Sequence, residues 1–123
     1  TRKQFGVPIG SFQALQHRAV DLWIHRQVTR AVVETAIRTF DSPASDARAR
    51  TLAASSAKAR AAQSALLLSN QTIQLHGAIG TTDEYDLGLY VNRALTLSAW
   101  MGNASEHRRR FGALSATSAK ASA

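Results

Sequence analysis

The chain has 123 residues, no cysteine, and a formal charge of +7 from 15 Lys and Arg against 8 Asp and Glu. That length supports one domain with a single core. Without cysteine there are no disulfides and no thiolate metal sites, which points to an intracellular, cytoplasmic setting. No apolar run approaches the ~18 residues of a membrane span, and no signal peptide is visible. The chain opens on Thr1 rather than methionine, so it reads as a piece of a longer protein.

In chain order, a first helix is expected from about Ser11, a suitable N-cap, to Phe40. Phe12, Leu15, Ala19 and Leu22 recur at three- and four-residue spacing, and Val28, Val32, Ala36 and Phe40 continue the stripe. Trp23, Ile24, Val33 and Ile37 widen it, which implies neighbours on two sides. Asp41-Ser42-Pro43 ends the helix, because proline disfavours helix in the residue before it. A second helix is expected from Ser45 or Asp46 to about Leu75. Its first half, Ala47 to Ala62, is mostly alanine with Arg, Lys and Ser, helical by propensity and slim enough for close packing. Leu66, Leu67, Leu68, Ile73 and Leu75 make the second half more apolar. Each long helix would span ~45 Å, and the short loop between them makes the pair antiparallel.

Gly77 and Gly80 then mark a tight turn. A third helix follows from about Leu87 to Met101, Gly102-Asn103 interrupts it, and a fourth runs from about Ala104 to Ala113. Residues 1–114 make up the helical domain, and the small polar residues 115–123 are expected to form a disordered tail. No strand pattern competes. The fold class is all-α, an up-down four-helix bundle.

The positive charge admits two readings. Counterion release would give non-specific affinity for nucleic acid. The basic residues are instead spread along the helices, only Arg108, Arg109 and Arg110 run together, and no aromatics interleave as a stacking platform. Solvated basic faces are the favoured reading, with neither nucleic acid nor membrane as partner, and with the phosphates of a dinucleotide or of coenzyme A as natural anionic ligands. His17, His25, His76 and His107 lack the i, i+3 or i, i+4 spacing of a helical metal site, so no metal is expected. Ser64, Ser69 and Ser98 have no nucleophile signature around them. Asp83, Glu84 and Asp86 could form a paired-carboxylate site. The preferred reading places them at a helix start, where negative charge meets the positive end of the dipole.

The most informative stretch is Gln74 to Arg93, QLHGAIGTTDEYDLGLYVNR, in which an alanine-rich helix runs into a glycine turn. It resembles the Gln-x-x-Gly-Gly-x-Gly turn of the flavin-dependent acyl-CoA dehydrogenases. Thr1 to Gln16, TRKQFGVPIGSFQALQ, is similar to the same family's Arg-x-x-Phe-Gly segment followed by Phe-Gln. The two motifs stand in the family's order, and the resemblance covers residues 1 to 113. It implies the family's C-terminal helical domain, which assembles through its bundles into dimers of dimers, either with itself or with a homologous subunit. The implied chemistry is removal of two hydrogens from the α and β carbons of an acyl-CoA, in fatty acid or steroid side-chain degradation. A carboxylate takes the α proton and FAD takes the β hydride.

The resemblance also assigns roles by position. Arg2 matches the arginine that meets the pyrophosphate of FAD held by the neighbouring subunit, a role suited to a planar two-pronged donor. Gln4 and Phe5 match the next contacts, and Gln13 matches a glutamine that reaches the same cofactor. Gln74, Leu75, His76, Gly77 and Ala78 match the turn that receives the adenosine end. Two departures stand out. Ala78 replaces the family's second glycine. Nine residues after Arg93, where many members carry the catalytic glutamate, this chain has Gly102, so no catalytic residue is expected here; Glu106 lies a helical turn further on. The base would then lie upstream of Thr1, or the chain belongs to a subunit without a base, like those of actinobacterial α2β2 enzymes whose Glu-His-Asp-x-x-Leu-Tyr-x-x-Arg segment YDLGLYVNRA resembles. A different class, a non-catalytic helical interaction module, stays open beside both.

Overall fold

A computed structural model describes residues 3–4, 6–8, 12–77 and 86–121. Four helices carry the architecture: α1 (Gln13–Asp41), α2 (Ala47–His76), α3 (Leu87–Ala99) and α4 (Ala104–Ala121). Ahead of them, β1 (Lys3–Gln4) pairs antiparallel with β2 (Val7–Pro8) around Gly6, whose φ of 79° makes the tight reversal possible. This small hairpin is absent from the periodicity, because two residues per strand are too few to show an alternation.

The long helices end where local chemistry ends them. At the start of α2, Asp46 Oδ1 accepts the Ala49 amide at 2.7 Å, which satisfies one of the amides a helix start leaves unpaired. Residues 42–46 turn the chain, and α2 runs back along α1. Gly77 caps the far end, with its amide bonded to the Ile73 carbonyl. α4 runs to Ala121, past its expected end at about Ala113. No proline or glycine follows Gly112 to stop it, and alanine carries the helix forward.

The bundle is centred on α2, against which α1, α3 and α4 each pack. Its buried seam is built from small side chains: Ala36 on α1, and Ser55, Ala59, Ala62 and Ser64 on α2. Small residues bring the helix axes close, and the seam is tied by polar bonds rather than by large apolar ones. Thr29 spends its one hydrogen on the His25 carbonyl, so the 2.7 Å contact between Thr29 and Ser64 is donated by the serine. Arg60 donates to His25 Nδ1 at 3.1 Å. Across the other interfaces Arg48 donates to the Leu114 carbonyl, Arg108 to Gln63, and Lys58 to the Leu97 carbonyl at the end of α3.

The large apolar residues of α1 divide between two faces. Leu15, Leu22, Val32 and Val33 are half-buried, whereas Val20, Trp23, Ile24, Val28, Ile37 and Phe40 are exposed. The second neighbour implied by the wide stripe is not supplied by the described residues. With Ala36 buried at 8% exposure and bordering none of the clefts among the described residues, the α1–α2 seam leaves no room there for a longer side chain. Ala36→Leu is therefore expected to destabilise the protein by about 1–3 kcal/mol, the usual cost of overpacking, as read by urea denaturation. An unchanged midpoint would mean that the seam is loose.

Candidate functional site

Two places gather the residues that the sequence singles out. The first is the C-terminal end of α2. Gln74 is exposed there, Leu75 and His76 are half-buried, and His76 Nδ1 donates to the Thr72 carbonyl at 2.8 Å, which fixes the ring over the last turn. Gly77 adopts φ 67° and ψ −153°, a combination essentially restricted to glycine. Glycine here puts no side chain of its own between this corner and an approaching group. Gln13 is exposed at the first turn of α1, and Gln4 lies in β1. Arg2, Phe5, Ala78, Gly80, Asp83 and Glu84 lie outside the described residues.

The second place is a groove of about 760 Å³ among α2, α3 and α4. Its floor is the alanine face of α2, Ala54, Ala61, Ala62 and Ala65, and its rim carries Tyr90, Leu97, Trp100 and Met101. Lys58, Arg93 and Arg110 supply positive charge, and no carboxylate is among the described lining residues. Arg93 thus stands on the same groove as the turn after α3, in keeping with the sequence spacing between Arg93 and Gly102.

That turn answers the question raised by Gly102. Met101 and Gly102 both have left-handed backbone, with φ of 58° and 99°. A Cβ at position 102 would lie 3.1 Å from His107 Nε2 and 3.3 Å from Glu106 Oε2, so the position resists any side chain on two independent counts. Glu106 has other employment. Its Oε2 accepts the Asn103 amide at 2.7 Å while Asn103 Oδ1 accepts the Glu106 amide at 3.0 Å. This reciprocal pair is a capping box that starts α4. Glu106 borders a separate cleft with Arg109 and Ala113 rather than the apolar groove.

Among the described residues no three His, Asp or Glu side chains are grouped so as to hold a metal ion, and no helix is long and apolar enough to cross a membrane. The pair Arg30–Glu34 lies on the exposed face of α1; its 2.6 Å hydrogen bond holds the carboxyl of Glu34 below the usual carboxylate range. Sequence reasoning missed His107, which it weighed only as a metal ligand. The available signal was its position one residue after the capping-box glutamate, four residues past Asn103, where a side chain reaches back over the turn.

Comparison with known proteins fixes what this arrangement is. The family model for the C-terminal domain of acyl-CoA dehydrogenases matches residues 1–114. The chain is 40% identical over 110 residues to the acyl-CoA dehydrogenase IpdE2 of Mycolicibacterium smegmatis, covering 89% of this chain and 32% of that protein. It is 48% identical over 94 residues to IpdE2 of Mycobacterium tuberculosis, covering 76% of this chain and 27% of that one. Among solved structures, a chain of the Tcur3481-Tcur3483 steroid ACAD G363A variant superposes with a TM-score of 0.87 at 34% identity, covering 97% of this chain and 32% of that chain. The all-helical fold centred on α2 is therefore that of a dehydrogenase helical domain. The chain belongs to the acyl-CoA dehydrogenase family, as its C-terminal domain, and spans about a third or less of these relatives.

Proposed function

We propose that this domain serves an FAD-dependent dehydrogenase that introduces an α,β double bond into an acyl-CoA thioester. In this reading it supplies FAD contacts across a subunit interface and carries no catalytic base. The match of residues 1–114 to the family's C-terminal domain carries the reading. The described part of the α2 terminus fits the cofactor: Gln74 is exposed, and Gly77 offers bare backbone. Arg2 would meet the pyrophosphate, Gln4, Phe5 and Gln13 would add further contacts to the cofactor, and Gln74 to Ala78 would receive the adenosine end. Bound FAD supplies the hydride acceptor; the chain's part is to bind and orient it. The likeness to a steroid ACAD supports a bulky acyl group, and the exposed apolar face of α1 supports association with itself or with a homologous subunit.

The test is to purify the intact protein with its partner subunits, record flavin absorbance, and titrate it anaerobically with acyl-CoA. Flavin bleaching is the expected result, and a protein without flavin would sink the reading. Glu106→Gln probes the missing base in the same assay. Glutamine can keep the capping box but cannot take a proton, so oxidation should stay within about tenfold of wild type, whereas loss of a general base typically costs 10²–10⁴-fold. A fall of about 10³-fold with flavin still bound would make Glu106 the base.

The competing reading, a helical module that only assembles, rests on the exposed α1 face. It predicts association without flavin.

A further inference from the structure

His107 is 7% exposed, and its ring lies against the turn that joins α3 to α4. Its Nε2 lies 3.0 Å from the Met101 carbonyl. A carbonyl only accepts, so Nε2 carries a hydrogen and donates this bond. Nδ1 is buried and has no hydrogen-bond partner among the described residues. A leucine or phenylalanine would fill the same space without an unsatisfied nitrogen. What the histidine adds is the bond to Met101.

That bond acts on an unusual piece of backbone. Met101 is a non-glycine residue at φ 58°, and Gly102 follows at φ 99°. A left-handed methionine is held only where its surroundings over-determine it. Five further bonds close on the same turn: Trp100 N–H to the Thr96 carbonyl, Gly102 N–H to the Ala99 carbonyl, the Asn103–Glu106 pair in both directions, and His107 N–H to the Asn103 carbonyl. Among the described residues, His107 is the side chain bonded to the left-handed centre, which is otherwise held by the backbone bond of Gly102. The turn in turn places Trp100 and Met101, 64% and 73% exposed, on the rim of the apolar groove.

We propose that His107 is a positioning residue: it latches the Trp100–Asn103 turn through the Met101 carbonyl, and so sets the wall that Trp100 and Met101 present to the groove. The consequence is selectivity for the apolar group the groove accepts. That part rests on the acyl-CoA reading; the latch itself does not.

The experiment compares wild type, His107→Ala and His107→Gln in the intact protein with its partner subunits. Glutamine keeps an amide N–H on a side chain of similar reach. Amide hydrogen exchange across residues 100–106 should rise by about tenfold or more in His107→Ala and recover in part in His107→Gln, with the α1–α2 seam unchanged, because only local opening is affected. In the same variants the ratio of KM for a bulky acyl-CoA to KM for butyryl-CoA should shift by about fivefold or more, with kcat on butyryl-CoA little changed, since the lost element is binding shape rather than chemistry. Unchanged exchange across the turn overturns the latch. Faster exchange with unchanged acyl preference overturns its role in selectivity. If wild type neither holds flavin nor oxidises acyl-CoA, the proposed function fails, and the exchange result alone decides the latch. Should His107→Ala not fold, the Gln variant decides in its place: near-wild-type exchange supports the latch, and exchange raised as far as in a Leu variant overturns it.

Discussion

Arg2→Ala is expected to weaken FAD binding by the intact protein by about ten- to a hundredfold. The estimate follows from the ~1.5–3 kcal/mol of a hydrogen bond to a charged group, at 1.4 kcal/mol per tenfold in affinity. Arg2 is the residue of this chain whose proposed partner is fully ionised, and a guanidinium fork meets two phosphate oxygens at once. Arg2→Lys keeps the charge and loses the fork, so it should fall between alanine and wild type. Because a bound ligand stabilises the folded state by mass action, melting temperature should drop in the same order, and excess FAD should narrow the difference. Flavin titration of the apo-protein checks the first claim and thermal unfolding the second. Unaltered flavin affinity in Arg2→Ala would remove Arg2 from the site and leave the α2 terminus to carry the contact alone.

The features legible in the sequence were those fixed by short-range chemistry. Asp46 as a cap, the break at Asp41-Ser42-Pro43 and Gly77 at the end of α2 each depend on a few adjacent residues and stand where the sequence places them, whereas α3 ends at Ala99, two residues before the expected Met101. What needed coordinates was the choice between equivalent faces. Both Leu22 and Trp23 belong to apolar stripes on α1, and periodicity does not say which of them meets α2; the structure half-buries Leu22 and leaves Trp23 57% exposed. The seam was hidden for a related reason. An Ala and Ser stretch signals helix without saying that Ser55, Ala59, Ala62 and Ser64 are the inward positions. His25 and Arg60 are 35 residues apart and meet only through the fold. In the candidate site, position 102 was legible as an absence of carboxylate. The left-handed backbone that accounts for glycine there was not, since it depends on His107 reaching back to Met101.

Gly77→Ala should cost about 1–3 kcal/mol of stability, the price of holding a side chain in backbone space that only glycine occupies comfortably. The φ of 67° and ψ of −153° set that cost, and the bond from its amide to the Ile73 carbonyl resists relaxation, because rotating the peptide away would uncap α2. The same substitution tests function, since the corner's bare backbone is what the proposed adenosine contact uses. Two measurements separate the effects: urea unfolding of the flavin-free protein reads the strain alone, and flavin affinity at low temperature reads the contact. The expected result is a lower urea midpoint together with weaker flavin binding. A lower midpoint with unchanged flavin affinity would make Gly77 a helix terminator and nothing more. An unchanged midpoint would mean that the corner at residue 77 relaxes into ordinary helical backbone once a side chain is present.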